Sequence, residues 1–396
     1  MRTLTLGQRV LLSVAGICAA GFLVTTTVVT VRAGSIQQEL AYAYAGELAQ
    51  RHAEEVKARI DVGMLTARTL AHTLQGQKGY GTANRTEVNA AMRGILEGNK
   101  QILSLSTCWE PNAFDGQDAA WANKPVHDAT GRFIPYWNRG DGTQSLSEKL
   151  IDYEKPGDGD WYLLARNSGN ETIVEPYFYP IGGKQVLMTT VTVPVKRGGK
   201  VLGVTTVDLA LSDLQALVDR IHPYEVGYAS IISHKGVYVA DKDPARITKD
   251  IGADETLQKA KTAVASGQVH KLTFKDPQLG EEAYRVYVPI VVGEVKTPWS
   301  FAVTVPTSRV LAGVRTVRNI AILLGLITVA LMVMLLRQII RRQVEEPLGG
   351  EPTMAVEASR AIADGDLRHR VQGTFGGRNS LLAVMGEMQE LSLIHI

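Results

Sequence analysis

Two uninterrupted apolar runs, residues 10–31 and 320–340, stand out from a chain that otherwise mixes or alternates polar and apolar positions. Each is about 20 residues long, enough for a helix to cross the hydrocarbon core of a bilayer. The one charge inside them is Arg337, near the end of the second. The intervening segment is charged, rich in Gly and Tyr, and alternates like strands, which predicts a folded extramembrane domain. The pattern therefore divides the chain into a cytoplasmic N-terminus (1–9), a first transmembrane helix (10–31), an outer domain (32–317) and a second transmembrane helix (318–340). Arg2 and Arg9 precede the first span, and Arg337, Arg341 and Arg342 close the second, so both ends are expected in the cytoplasm. Arg32, Arg315 and Arg318 on the other side reduce that contrast. A cleaved signal peptide would carry a shorter apolar core and a better cleavage site than Ala33-Gly34-Ser35, so the first run reads as an anchor.

Within the outer domain, residues 34–74 are rich in Ala, Leu, Glu, Gln and Arg. Leu40, Ala41, Ala45, Leu48 and Ala49 recur at helical spacing, which predicts a stalk helix continuing from the first span. A second helix is expected over 84–99, with Thr86 as N-cap. Strands follow at 102–109 and 132–137. A hairpin joins 186–195 to 201–211 through Arg197-Gly198-Gly199-Lys200. Ser212 is expected to open a helix over 213–221. A smaller block repeats this order: a hairpin of 228–233 and 237–240, a helix at 255–266, and strands at 269–274, 283–289 and 299–305. Segments 186–195 and 201–211 correspond in position to 283–289 and 299–305. The expected fold class is an α/β sensor domain of two tandem modules on a long stalk helix, one at about 100–222 and the other at about 223–306.

Composition narrows the chemistry. Charged residues are 21% of the chain and the net charge is +2, so no field recruits nucleic acid. The two cysteines, Cys18 in the first span and Cys108 in the outer domain, are too far apart to pair. The eight histidines lack ligand spacing, and no P-loop, nucleophile elbow or Cys-x-x-Cys is present. No metal, cofactor or catalytic apparatus is expected, and the chain does not read as an enzyme.

From about residue 35 to 317 the chain resembles the double-Cache (tandem PAS-like) sensor domains of bacterial methyl-accepting chemotaxis proteins. The resemblance rests on Gly131-Arg132-Phe133-Ile134-Pro135-Tyr136-Trp137, Asp160-Trp161-Tyr162, Glu175-Pro176-Tyr177 and Val207-Asp208-Leu209, which occur in the family's order. The segment 341–393 resembles a HAMP connector, an all-α parallel bundle, incomplete here. It is marked by Pro347, Glu351 and Ile362-Ala363-Asp364-Gly365-Asp366-Leu367. The resemblance implies a multi-pass protein of the bacterial inner membrane with a periplasmic sensor. It also implies a homodimer that acts on a cytoplasmic chemotaxis kinase and coupling protein. A chemoreceptor would continue into a methylated coiled coil at about Ile396, and Leu391-Ser392-Leu393-Ile394-His395-Ile396 do not continue its heptads, so a truncated C-terminus is expected. A sensor histidine kinase or a cyclic-di-nucleotide enzyme could follow the same connector.

In amino-acid-sensing members an Arg two residues before the Trp-Tyr pair grips the ligand carboxylate; here that position is Gly159, between Asp158 and Asp160. Asp208 matches the family's ammonium-holding Asp, and Trp109, Tyr136, Trp137, Trp161, Tyr162 and Tyr177 supply aromatic faces. With Asp160 these form the expected ligand-binding set. Acid plus aromatics without Arg suits an amine: a polyamine, biogenic amine or quaternary ammonium. The competing readings remain. Trp137, Trp161 and Tyr177 could be ordinary core aromatics, Asp158 and Asp160 solvated turn residues, and Asp208 a helix cap. Arg139, close to Tyr136, could serve a carboxylate and restore an amino-acid or organic-acid ligand. In the second module Tyr238, Asp241 and Tyr287 are expected to pack and transmit. A tethered enzyme or a transporter would need a nucleophile, a metal cluster or a charge inside a span.

Overall fold

The computed structural model describes residues 4–140, 145–366, 377 and 379–394. By internal contacts the chain divides into Gln38–Val310 and a unit of Met1–Gln37 with Leu311–Ile396.

In the larger unit, α1 (Leu6–Tyr80) contributes its part beyond Gln37 and is followed by α2 (Arg85–Gly98). The first sheet contains β1 (Ser104–Trp109), β2 (Pro135–Asn138), β3 (Leu146–Lys149), β4 (Thr172–Ile173), β5 (Tyr177–Ile181), β6 (Lys184–Arg197) and β7 (Lys200–Ala210). A short α3 (Asp118–Trp121) and α4 (Asp160–Ser168) lie between strands, and α5 (Leu211–Val218) follows the last. Strand order is β3-β2-β1-β7-β6-β4, with β5 also paired to β6, and each pair is antiparallel. The second sheet takes β8 (Tyr228–Ile232), β9 (Tyr238–Asp241), β10 (His270–Asp276), β11 (Glu281–Ile290) and β12 (Trp299–Pro306), with α6 (Glu255–Ala265) before β10 and α7 (Thr307–Val310) after β12. Its order is β10-β11-β12-β8-β9. Read from the other edge, this matches β2-β1-β7-β6-β5, so the repeat seen in the sequence is a repeat of topology.

Each sheet places one face on α1 and the other on a short helix. Against α1, Thr205 Oγ1 donates to Ala67 O at 2.8 Å in the first sheet, and Tyr42 OH meets Thr273 Oγ1 at 2.7 Å in the second. On the far faces, α4 covers a core containing Trp161, Tyr136 and Met188, and α6 covers one containing Tyr238, Tyr287 and Ala302. The α1 side in this unit is a buried stripe of small residues (Ala41, Ala45, Ala49, Ala53) that gives way to larger ones (Ile60, Met64, Leu70).

Several local expectations are corrected. Asn84, not Thr86, caps α2: its side chain accepts from Thr86 N and Glu87 N. Ser212 lies inside α5, whose N-cap is Ala210 without a side-chain bond. Asp160, which could have been a solvated turn residue, begins α4.

In the smaller unit, α8 (Ala312–Ile340) is unbroken and leads into a π-helical turn, Arg341–Glu345. Then come α9 (Glu346–Leu348), α10 (Pro352–Ala363) and α11 (Leu381–Ile394). The helices Leu6–Tyr80 and Ala312–Ala363 are long and apolar enough to cross a membrane. Gly325 of α8 lies under the Phe22 ring; a Cβ there would stand 2.2 Å from the ring, so only glycine permits this approach.

Candidate functional site

Strand parity decides which aromatics can meet the acid. β7 pairs with β1 and β6 so that Asp208 stands opposite Ser104 on one side and Thr190 on the other, all three on the α4 face. Asp208 is 4% exposed. Its Oδ2 accepts from Ser104 Oγ at 2.5 Å and its Oδ1 from Thr190 Oγ1 at 2.7 Å. Those hydroxyl protons are thereby used. Tyr136 OH, 3.0 Å from Ser104 Oγ, and Tyr177 OH, 2.6 Å from Thr190 Oγ1, are left to donate inward. Two relays of tyrosine to hydroxyl to carboxylate converge on one acid. Among the described residues no Lys, Arg or His forms an ion pair with it.

Burial pushes the Asp208 carboxyl above the usual range, and the hydrogen bonds from Ser104, Thr190 and Tyr136 only partly offset it. The Tyr136 and Tyr177 phenols are pushed well above their ordinary value, first by burial and then by the Asp208 charge. They remain donors at any physiological pH.

Tyr179 is the hub of the aromatic wall. Its ring is edge-on to Tyr136 at 5.5 Å, Tyr177 at 6.2 Å and Trp161 at 6.4 Å. Sequence reasoning missed it, although Tyr177 and Tyr179 alternate along one strand and so share a face. A basin of about 700 Å³ opens beside Tyr136 and Tyr179 and is also lined by Glu148, Ile151 and Val126.

The other expected residues lie elsewhere. Trp137, next to Tyr136, faces the opposite way and donates from Nε1 to Asn89 Oδ1 of α2 at 3.0 Å. Trp109 is five residues from Ser104 on β1 and lies on the opposite face, edge-on to Phe114 at 4.9 Å. Tyr162 belongs to an ionic cluster beside the wall. Its OH bonds Glu110 and accepts from Arg132 Nη2 at 2.7 Å. Arg132 is 2% exposed and also donates to Trp109 O and Glu154. The sequence showed Arg132 only as part of a motif. Asp160 is half-exposed in the first turn of α4 and accepts from Gly157 N at 2.9 Å.

Two of the competing readings meet specific geometry. A Cβ at Gly159 would stand 2.5 Å from Asp152 O and 2.7 Å from Tyr153 O, so the backbone excludes any side chain at the position of the carboxylate clamp. Arg139 donates to Ile102 O, Leu96 O and Asn99 O, at 3.0, 2.6 and 2.7 Å, closing the C-terminal end of α2.

Comparison with known proteins agrees with this architecture. Residues 92–216 match the family of the methyl-accepting chemotaxis protein-like first PDC sensor domain. The chain is 29% identical over 248 residues to methyl-accepting chemotaxis protein TlpQ of Pseudomonas aeruginosa, covering 57% of this chain and 33% of that protein. It is 26% identical over 273 residues to PctB of the same organism, covering 67% of this chain and 40% of that protein. The chain thus spans about a third to two-fifths of the length of these curated relatives. Among solved structures, the extracellular domain of mmHK1S-Z3, assigned as a histidine kinase, superposes with a TM-score of 0.63 at 32% identity, covering 70% of this chain and 98% of that one. Methyl-accepting chemotaxis protein X gives 0.57 at 25%, covering 68% and 98%. Residues 92–216 thus form a methyl-accepting chemotaxis protein-like PDC sensor domain, and the chain is homologous to Pseudomonas methyl-accepting chemotaxis proteins.

Proposed function

We propose that the chain is the sensory half of a transmembrane receptor that binds a small extracellular amine in its first module. The supporting observation is Asp208: a buried carboxylate with hydroxyl donors on both oxygens, aromatic rings beside it, and no protein cation paired with it among the described residues. A buried ionised carboxylate without a counter-charge is unfavourable, so the site gains most from a ligand that brings an ammonium. Tyr136, Tyr177, Tyr179 and Trp161 then form the wall around the cation. Trp137 supports α2, Asp160 the start of α4 and Tyr162 the ionic cluster beside the wall, while Trp109 packs on the opposite face.

The membrane-spanning segments in this reading are 10–31 and 318–340, with the sensor in the periplasm of a homodimer. Segment 341–393 acts as the HAMP connector; Ala355 and Ala358 of α10 pack with Leu382 and Met385 of α11. Leu367 of its motif lies outside the described residues. Output passes to a chemotaxis kinase and coupling protein, or to a histidine kinase, since mmHK1S-Z3 carries the same sensor fold.

Affinity for a primary amine is expected to follow a bell-shaped pH profile. It falls above the amine's own pKa, about 10. It also falls on acidification, because Asp208 takes up a proton at a higher pH than an ordinary carboxyl and must release it to pair with ammonium. Calorimetry of the chain in detergent micelles over this range tests both arms. A quaternary ammonium ligand keeps only the acid arm. Flat affinity through the acid range would exclude Asp208 as the anchor.

The second reading is an amino-acid or organic-acid sensor, for which Arg139 or Arg132 would supply the cation. Arg139→Met is expected to leave amine binding unchanged and to destabilise the fold by about 1–3 kcal/mol, since three carbonyls at the α2 terminus lose their donor. Loss of binding to a carboxylate ligand in a folded Arg139→Met chain would favour the second reading.

A further inference from the structure

Because the two sheets share one strand order, positions can be matched between them. β7 ends at Ala210, directly before α5, and β12 ends at Pro306, directly before α7, so Thr304 stands where Asp208 stands. The neighbours agree. Asp208 lies between Ser104 and Thr190; Thr304 lies between Tyr228 and Arg285. Ser104 and Tyr228 each open their strand. Arg285 therefore occupies the place of Thr190, on the face covered by the short helix.

Its surroundings are those of a recognised cation. Arg285 is 1% exposed. Its guanidinium donates to Thr304 Oγ1 at 2.7 Å, to Asp276 Oδ2 at 3.0 Å, to Tyr287 OH at 3.4 Å and to Tyr228 OH. Three rings surround it: Phe274 at 4.5 Å, Tyr228 at 5.5 Å and Tyr287 at 6.0 Å from the guanidinium carbon. The second buried acid on this face, Asp241, is held separately by Ser230, Gln278 and Arg246. Asp276 is the carboxylate paired with Arg285; it also accepts from Tyr228 OH at 2.6 Å and from Gln278 N and Leu279 N at 2.8 and 3.0 Å. One carboxylate and three aromatic faces make a cage of the kind that binds guanidinium and ammonium groups.

We propose that the α6 side of the second sheet is a cation-binding cage filled by the chain's own Arg285. The tethered guanidinium excludes a diffusible cation, holding this module in one state while the first module takes ligand from outside. The proposal stands whatever the first module binds.

The test is to remove the tether and offer the free group. The full chain in detergent micelles is titrated with guanidinium chloride, with sodium chloride at equal ionic strength as control, and followed by calorimetry and thermal melting. Arg285→Ala is expected to bind guanidinium saturably at millimolar concentration, one per chain, and to melt higher in its presence. Wild type should show neither effect, and Arg285→Ala/Asp276→Ala, which lacks the anionic wall, should also show neither. If Arg285→Ala folds only when guanidinium is present, the cage is supported directly. A folded Arg285→Ala chain that responds no more than the sodium control overturns the proposal, as does an equal response from wild type. Failure of Arg285→Ala to fold in either salt, while the double variant folds, overturns it as well.

Discussion

Asp208→Asn is expected to weaken an ammonium ligand by about 2–4 kcal/mol, roughly thirty- to several-hundred-fold in affinity. The amide keeps the shape of the carboxylate but loses its charge. One of the Ser104 and Thr190 hydroxyls goes on donating to the amide oxygen and the other can rotate to accept from the amide NH2, so the fold is retained. Stability should move the other way. A carboxyl whose folded pKa is raised contributes stability that is complete below its unfolded pKa and is lost as pH rises through the folded value. Unliganded wild type loses that contribution as pH rises through the folded value of Asp208, and Asn never has a charge to bury. The variant is therefore expected to gain on unliganded wild type in melting temperature as pH rises and to converge with it on acidification. Calorimetry and melting curves read both effects. Unchanged affinity in a folded variant would remove Asp208 from the site.

Inserting flexible glycines after Val317 is expected to abolish output from a fused reporter kinase while leaving ligand affinity at the wild-type value. α8 is helical from Ala312 to Ile340 without a break; Gly313 stands in its first turn, and Gly325, within the apolar run, is packed under Phe22 and does not form a hinge. A continuous helix is stiff along its axis, so a shift of about 1–2 Å at one end arrives at the other. Glycines within it let that displacement dissipate in backbone rotation. Beyond α8 lie the π-helical turn and Gly349, whose φ of 83° closes α9. These are the places where axial motion can become a change in connector packing. Normal switching in the insertion variant would show that the signal takes another route.

The long elements were legible because their pattern is local. The hairpin of β6 and β7 announced itself by β-branched runs on either side of Arg197-Gly198-Gly199-Lys200, and the order of the second block followed the first. The nine-residue α4 was not legible: Gly157 and Gly159 suggest a loop, and burial of Trp161, Tyr162 and Ala165 is what holds the helix. The acid of the candidate site was visible as an Asp in an apolar strand. Its companions were only half visible. Tyr136 and Trp137 are adjacent on one strand and cannot share a face, which the sequence alone settles. That Trp109 turns away from Asp208 depends on the pairing of Ser104 with Asp208, about a hundred residues apart, and no local pattern encodes that register. The exclusion of a side chain at Gly159 likewise comes from carbonyls at Asp152 and Tyr153 that only the fold brings close.

The stripe on α1 changes character along its length, and this has a mechanical consequence. Beside the small residues Ala41, Ala45, Ala49 and Ala53, α1 meets the second sheet through Tyr42, bonded to Thr273 Oγ1 and 5.1 Å from the Tyr284 ring, and through His52, stacked on Phe301 at 5.7 Å. Ile60, Met64 and Leu70 are long enough to seat between residues of the first sheet. The helix is therefore geared to the first sheet along its length and latched to the second at two points, Tyr42 and His52. A displacement of the first sheet that carries the helix with it must either drag the second sheet along or release those two latches.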